Sequence, residues 1–143
     1  MSAPFLRRLD AQTRVRIRPS PLGGVGVFAI QPIRKGADPF PLVRADVVTR
    51  FVPDEELATL SAATREMCLD FCLPRVENGV SGRWVYVDGF AAMDTSYYLN
   101  DARDEPPNIE MCADPASTLC TFRATRDIAA DEELLFAYDR PPV

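Results

Sequence analysis

Apolar residues recur along much of the chain with the two-residue period of β-strands. In residues 14–18 they alternate with arginines, as expected of a strand with one solvent-facing side. A second apolar run, residues 27–30, follows a glycine-rich turn. Residues 117–125 and 133–138 are also strand-like, and β-branched and aromatic residues dominate the segment 83–87. Such composition is typical of strands. The pattern therefore predicts a mainly β protein.

The spacing of apolar residues becomes helical between Pro53 and Pro74. Acidic residues follow Pro53, and the apolar residues then lie at helical spacing until Pro74: Leu57, Leu60, Met67 and Phe71. Prolines and first-turn acids of this kind mark helix boundaries. We expect a short helical insert over about residues 53–74 in a core of about residues 14–139. A chain of 143 residues, 47% of them hydrophobic, is long enough for one core, so we expect a single domain over residues 1–143.

The charge of the chain narrows its range of partners. The net charge of −5 and the scattered basic residues disfavour direct nucleic-acid binding, which needs clustered Lys and Arg. A basic protein or peptide is the more natural partner. No apolar run is long enough to span a membrane, and the N-terminal residues lack the apolar stretch of a secretion signal, so we predict a cytoplasmic protein without membrane contact.

The absence of histidine excludes several chemistries. The chain has no His and four Cys, so it cannot build a Ser-His-Asp triad, a Cys-His pair or a histidine-ligated metal site. A zinc site would need all four cysteines at unusual spacings, and reduced, mostly buried thiols are the favoured interpretation. We expect no metal.

Three separated segments carry the candidate chemistry. The first is Gly24-Val25-Gly26-Val27-Phe28-Ala29, the second is Tyr97-Tyr98-Leu99-Asn100-Asp101-Ala102 followed by Pro107-Asn108, and the third runs from Arg123 to Tyr138. Taken alone, the glycine pair is typical of a tight turn. Phe136 and Tyr138, two positions apart, would share one face of a buried strand.

In this order the three segments resemble the signature of SET-domain protein-lysine methyltransferases. The resemblance implies a β-clip-like SET fold in which the Asn100 segment and the final strand interlock as a C-terminal pseudoknot, an exception to the usual avoidance of threading. It also implies S-adenosyl-L-methionine as cofactor and methyl transfer to the ε-amine of a lysine in a basic protein. The cofactor-binding residues that it indicates are Gly24, Val25, Gly26, Tyr98, Asn100 and Asp101.

The same resemblance assigns roles near the C-terminus. Tyr138 falls on the catalytic tyrosine of the family, and Phe136, Tyr86 and Tyr97 would line the channel for the substrate lysine. Phenylalanine at the Phe136 position implies that more than one methyl group is added. The sequence lacks the zinc-binding cysteine cluster that follows many SET domains. In this respect it resembles bacterial and viral members of the family.

The chain also departs from the family pattern. Asp101 and Ala102 stand where the family carries histidine and serine, and the interval to Asn108 is two residues longer. These departures keep open the alternative of a catalytically inactive SET fold that binds a protein or peptide. A second alternative is an unrelated β-rich domain whose sequence resembles the family motifs by chance. Some of the smallest SET domains form dimers, so a homodimer is also left open.

Overall fold

The computed structural model describes residues 3–41, 48–87, 89–113 and 120–138. The helices and strands are, in chain order, α1 (Pro4–Gln12), β1 (Val15–Pro19), β2 (Val25–Ala29), β3 (Thr49–Pro53), α2 (Asp54–Leu57), α3 (Ala62–Phe71), β4 (Pro74–Glu77), β5 (Val80–Tyr86), β6 (Asn100–Asp101), β7 (Ile109–Ala113), β8 (Cys120–Ala124) and β9 (Glu133–Phe136). Two short 3-10 helices, Phe90–Ala92 and Thr95–Tyr98, precede β6. The predicted mainly β fold with short helices is confirmed.

The chain divides into two compact units. Residues 1–44 and 94–143 form the first, and residues 45–93 form the second. None of the helices in the described ranges has the length and apolar content that a membrane crossing requires. The expectation of one domain over residues 1–143 stays a prediction.

A four-stranded sheet organises the first unit. Its strand order is β1-β2-β9-β6; β9 lies antiparallel to β2 and parallel to β6, with Asn100 opposite Leu135 and Asp101 opposite Phe136. The pairing of β6 with β9 brings the Asn100 segment beside the C-terminal strand. Strands β7 and β8 form a separate antiparallel pair.

Aliphatic side chains from these strands fill the core of the first unit. The buried residues are Val27, Ala29, Ile33, Phe40, Leu99, Ile109, Ala124, Ile128 and Leu134. Leu99 and Leu134 are 1% and 0% exposed. Leu99 directly precedes Asn100 and Leu134 directly precedes Leu135, and Asn100 and Leu135 lie opposite each other in the parallel pairing of β6 with β9. Core packing therefore fixes the register in which β6 and β9 meet.

The second unit is a three-stranded antiparallel sheet, in the order β3-β5-β4, with helices α2 and α3. Asn78 and Gly79 join β4 to β5 with positive φ angles of 50° and 78°, the backbone that a two-residue hairpin favours. The helices fall within residues 53–74, as the apolar spacing predicts. Leu57, Cys68 and Cys72 form the core of this unit.

Cys68, Cys72 and Cys112 are free thiols. Cys68 and Cys72 are buried and Cys112 is half-buried. Burial, followed by the neighbouring Cys68, raises the pKa of Cys72 to about 12, so its thiol stays protonated at neutral pH and is a poor nucleophile. This agrees with the predicted role of these two cysteines as packing residues.

Helix α1 and strands β4 and β7 are among the elements that the sequence pattern did not predict. Helix α1 has no buried residue, and its Phe5, Leu6 and Leu9 are exposed; a nine-residue helix is too short to give a clear periodic signal. The sequence pattern assigned no strand to the residues of β4 or β7. Both are hairpin arms, so pairing with their neighbours decides their conformation.

Candidate functional site

The glycine-rich segment connects β1 to β2 and begins the site. Gly24 has a φ of +59°, and its carbonyl oxygen accepts a hydrogen bond of 3.0 Å from the amide of Ser20. Gly26 is buried in β2. A Cβ atom on Gly26 would lie 2.0 Å from Glu133 Oε1 and 2.9 Å from Asn100 Nδ2. The need for glycine at position 26 therefore comes from two polar side chains of the same unit that cross over its backbone.

Asn100 is held by both hydrogens of its amide group. Its Nδ2 donates to the carbonyl oxygen of Val25 at 3.0 Å and to Glu133 Oε1 at 2.9 Å. The predicted cofactor residues Val25, Gly26 and Asn100 thus lie in mutual contact. Since a neutral amide has two N–H donors, this arrangement leaves Asn100 Oδ1 as the group available to a ligand.

Glu133 and Ser20 complete this cluster. Ser20 Oγ donates to the Glu133 carboxylate, with distances of 2.8 and 3.0 Å to its two oxygens, and accepts the amide N–H of Leu22 at 3.1 Å. Sequence reasoning gave neither Ser20 nor Glu133 a role. Glu133 lay within the quoted C-terminal segment, but 113 positions separate it from Ser20, so no local pattern could pair them.

Asn108 is a buried polar residue that joins β9 to the chain before β7. It is 1% exposed; its Nδ2 donates to Glu132 Oε2 at 3.1 Å and to the carbonyl oxygen of Glu133 at 2.9 Å, and its Oδ1 accepts the Leu135 amide at 2.8 Å. Its own amide donates to the carbonyl oxygen of Leu135 at 3.0 Å. Asn108 therefore fixes the strand that carries Phe136.

Tyr138 is tied to the Asn100 segment at two points. Its amide donates to Asp101 Oδ1 at 3.0 Å, and its hydroxyl donates to the carbonyl oxygen of Leu99. The residue as a whole is 55% exposed, but burial around the ring and hydroxyl, followed by the negative charge of Asp101, raises the pKa of Tyr138. The phenol is therefore neutral at physiological pH, and Asp101 holds the tyrosine backbone in place.

An aromatic row lies beside this tyrosine. The ring centroid of Phe136 lies 4.3 Å from that of Tyr138 and 5.8 Å from that of Phe122, and Phe122 in turn packs edge-on against Phe40 at 5.6 Å. Strand β9 ends at Phe136, so the exposed Tyr138 lies beyond the strand. The simpler interpretation, two same-face residues of one buried strand, does not describe this geometry.

The remaining predicted site residues lie in two places. Tyr97 and Tyr98 are half-buried in the 3-10 helix that leads into β6, and Tyr98 packs against the core of the first unit. Tyr86 ends β5 in the second unit, and its place in a lysine channel stays a prediction. Among the described residues there is no group of three or more Cys, Asp or Glu side chains that could hold a metal ion.

Comparisons with known proteins agree with this architecture. Three similar structures are a Plasmodium falciparum candidate histone methyltransferase, the methyltransferase domain of human PR domain-containing protein 2, and a humanized mutant of Chaetomium thermophilum Polycomb Repressive Complex 2 bound to the inhibitor GSK126. Their TM-scores are 0.54, 0.56 and 0.54, and their sequence identities are 18%, 18% and 27%.

The extent of these matches differs. The first two cover 90% and 92% of this chain and 96% and 82% of the matched chains, whereas the third covers 87% of this chain but 15% of its counterpart. A search of curated protein sequences found no match. The sequence profile of the SET domain matches residues 24–139, which include the glycine turn, Asn100 and Tyr138. The chain belongs to the SET domain family.

Proposed function

We propose that this protein is an S-adenosyl-L-methionine-dependent protein-lysine N-methyltransferase. Family membership and the methyltransferases among its structural neighbours support a protein methyltransferase. The observation that carries the finer proposal is the convergence of the glycine turn, Asn100 and Tyr138 on β6 and β9, through the contacts of Asn100 with Val25 and of Tyr138 with Asp101.

The residues of the cluster suit the cofactor. Gly26 leaves room for the side chains of Asn100 and Glu133, which cross over its backbone and bring acceptor oxygens to this place. When bound, S-adenosylmethionine supplies a methyl group on a positively charged sulfur. In the transfer, a bond forms between the lysine nitrogen and the methyl carbon while the bond between that carbon and sulfur breaks, and the proton of the lysine ammonium leaves to water beforehand.

Positioning and dehydration are the contributions of the chain itself. A free lysine has a pKa near 10.4, so removing its proton at pH 7 costs about 4 to 5 kcal/mol; an apolar aromatic wall lowers that cost because it disfavours the charged amine. Phe136 and Phe122 supply such a wall. Tyr138, a neutral phenol fixed at its amide and hydroxyl, orients the amine, and such alignment supplies most of the catalysis in an in-line displacement.

Phe136 also bears on how many methyl groups are added. Its ring packs between Phe122 and Tyr138 and carries no hydroxyl that could hold a water in the channel. We expect transfer to continue to di- or trimethyllysine. Phe136→Tyr would then shift the products to monomethyllysine, as measured by mass spectrometry.

The first experiment is calorimetric titration with S-adenosylmethionine and S-adenosylhomocysteine, followed by methyl transfer from radiolabelled cofactor to basic peptides and proteins. We expect binding, and transfer to a lysine side chain, located by mass spectrometry, that Tyr138→Phe reduces at least tenfold with an unchanged circular dichroism spectrum. Binding without transfer to any substrate would favour the inactive protein-binding alternative. Absence of binding would overturn the proposal.

A further inference from the structure

Lys35 is the single lysine in the 143 residues of the chain; the other basic side chains, of 16 in all, are arginines. The reaction proposed above needs an amine that can lose its proton. A lysine amine can do so at moderate cost, whereas the guanidinium group of an arginine stays charged in proteins. The chain therefore carries one side chain that its own proposed activity could modify.

The fold presents Lys35 on the surface of the first unit, at the centre of a tight turn. The amide of Ala37 donates to the carbonyl oxygen of Arg34 at 3.0 Å, which closes a β-turn around Lys35 and Gly36. Gly36 has a φ of +85°, a backbone that glycine adopts without steric cost. Arg34, Lys35 and Gly36 are exposed, and among the described residues no carboxylate pairs with the Lys35 ammonium. The amine is therefore accessible from solvent.

Hydrogen bonds hold this turn in place, away from the candidate site of methyl transfer in its own chain. The amide of Lys35 donates to Asp127 Oδ1 at 2.8 Å, and the amide of Gly36 donates to the carbonyl oxygen of Ala124 at 2.8 Å. The exposed Lys35 side chain is not part of the aromatic row beside Tyr138. Because the turn is fixed by these bonds, a second copy of the chain is the natural source of the methyl group.

The surface near the tyrosine suits the approach of such a turn. The loop that follows β6 exposes the carboxylates of Asp104 and Glu105, with one arginine, Arg103, beside them. The turn on the second copy carries two adjacent cations, Arg34 and Lys35. Opposite charges on two surfaces raise the rate at which they meet and favour one orientation of the encounter.

We infer that Lys35 is a methylation site of this protein, modified in trans by a second copy of the chain. This inference rests on the proposed function. The ammonium proton of Lys35 leaves to water beforehand, and Nζ then forms a bond to the methyl carbon of the S-adenosylmethionine that the other copy holds. The bond between that carbon and sulfur breaks, its electron pair goes to sulfur, and S-adenosylhomocysteine leaves.

The test uses two variants that each lack one half of the reaction. Lys35→Arg keeps the candidate active site but has no lysine, whereas Tyr138→Phe keeps Lys35 but lacks the hydroxyl at the site. With radiolabelled S-adenosylmethionine and no other protein, we expect label on the wild-type chain and loss of label on either variant alone. A mixture of the two variants should regain the label, on residue 35 of the Tyr138→Phe chain. Mass spectrometry of residue 35 before incubation counts methyl groups that were added during expression.

The matched control is Arg8→Lys combined with Lys35→Arg, which moves the single lysine to the exposed helix α1. This variant should stay unlabelled, and label equal to that of the wild type would mean that any exposed lysine is accepted, which overturns the inference. A wild-type chain without methyl groups on residue 35, or an unlabelled mixture beside a labelled wild type, overturns it as well. Transfer to added basic proteins by Lys35→Arg shows that the proposed function stands in those cases; if no protein accepts methyl groups, the proposed function fails first.

Discussion

Replacement of Asn108 by alanine tests whether one buried side chain holds β9 in place. The change removes three hydrogen bonds, two from Nδ2 and one to Oδ1. Each is worth about 0.5–1.5 kcal/mol net, and a buried group left without a partner costs about 1–3 kcal/mol. Because the Leu135 amide loses its acceptor in a region where Asn108 is 1% exposed, we expect the free energy of unfolding to fall by about 3–5 kcal/mol.

The assay must separate the two units. Trp84, the single tryptophan of the chain, lies in the second unit, so its fluorescence follows that unit, whereas far-UV circular dichroism follows both. Urea unfolding followed by circular dichroism should show the loss of stability. Thermal unfolding should show a Tm that is lower by about 10–15 °C. Hydrogen exchange at the Leu135 amide should accelerate.

Asn100→Ala is the matched comparison, because it removes an asparagine from the same unit that is less buried and has two such bonds. We expect it to cost about 1–2 kcal/mol. A cost below about 1 kcal/mol for Asn108→Ala, or unchanged exchange at Leu135, would refute the assignment of Asn108 as the residue that fixes β9.

Three further predictions concern the site and the fold. Gly26→Ala should displace the Glu133 carboxylate and weaken S-adenosylhomocysteine binding at least tenfold with little change in Tm, because the obstructing atoms are side-chain ends; Gly82→Ala, whose Cβ would lie 2.4 Å from a backbone oxygen, should instead lower the Tm. Asp101→Asn should lower the pKa of Tyr138 part of the way toward 10, because the negative charge is removed but burial remains. The pKa is measured from the absorbance of the tyrosinate, after subtraction of the signal of the Tyr138→Phe variant. An unchanged pKa would contradict the role of the Asp101 charge. The raised pKa of Tyr138 in the folded state contributes stability below pH about 10, and this contribution is lost as the pH rises through the raised value. Tyr138→Phe should therefore reduce the loss of stability at alkaline pH. An unchanged dependence of the unfolding free energy on alkaline pH would contradict this prediction.

Much of the architecture follows from short stretches of sequence. The alternation in residues 14–18 and the composition of residues 133–138 specify β1 and β9, and the Asn78-Gly79 pair specifies a hairpin turn, because side-chain period and backbone preference act on neighbouring residues. The three motif segments likewise lie in contiguous residues. They were sufficient to indicate the SET family and the residues Gly26, Asn100 and Tyr138.

Tertiary structure decided how those segments act on one another. Glu133 contacts Ser20 across 113 positions, Asn100 contacts Val25 across 75, and Tyr138 contacts Asp101 across 37. Contacts between residues this far apart in the sequence are set by sheet order and core packing, which no local periodicity encodes. Sequence alone therefore indicated Gly26, Asn100 and Tyr138 as candidate residues, whereas the fold decided that Gly26 makes room for Glu133, that the Asn100 amide faces inward and that Asp101 holds Tyr138.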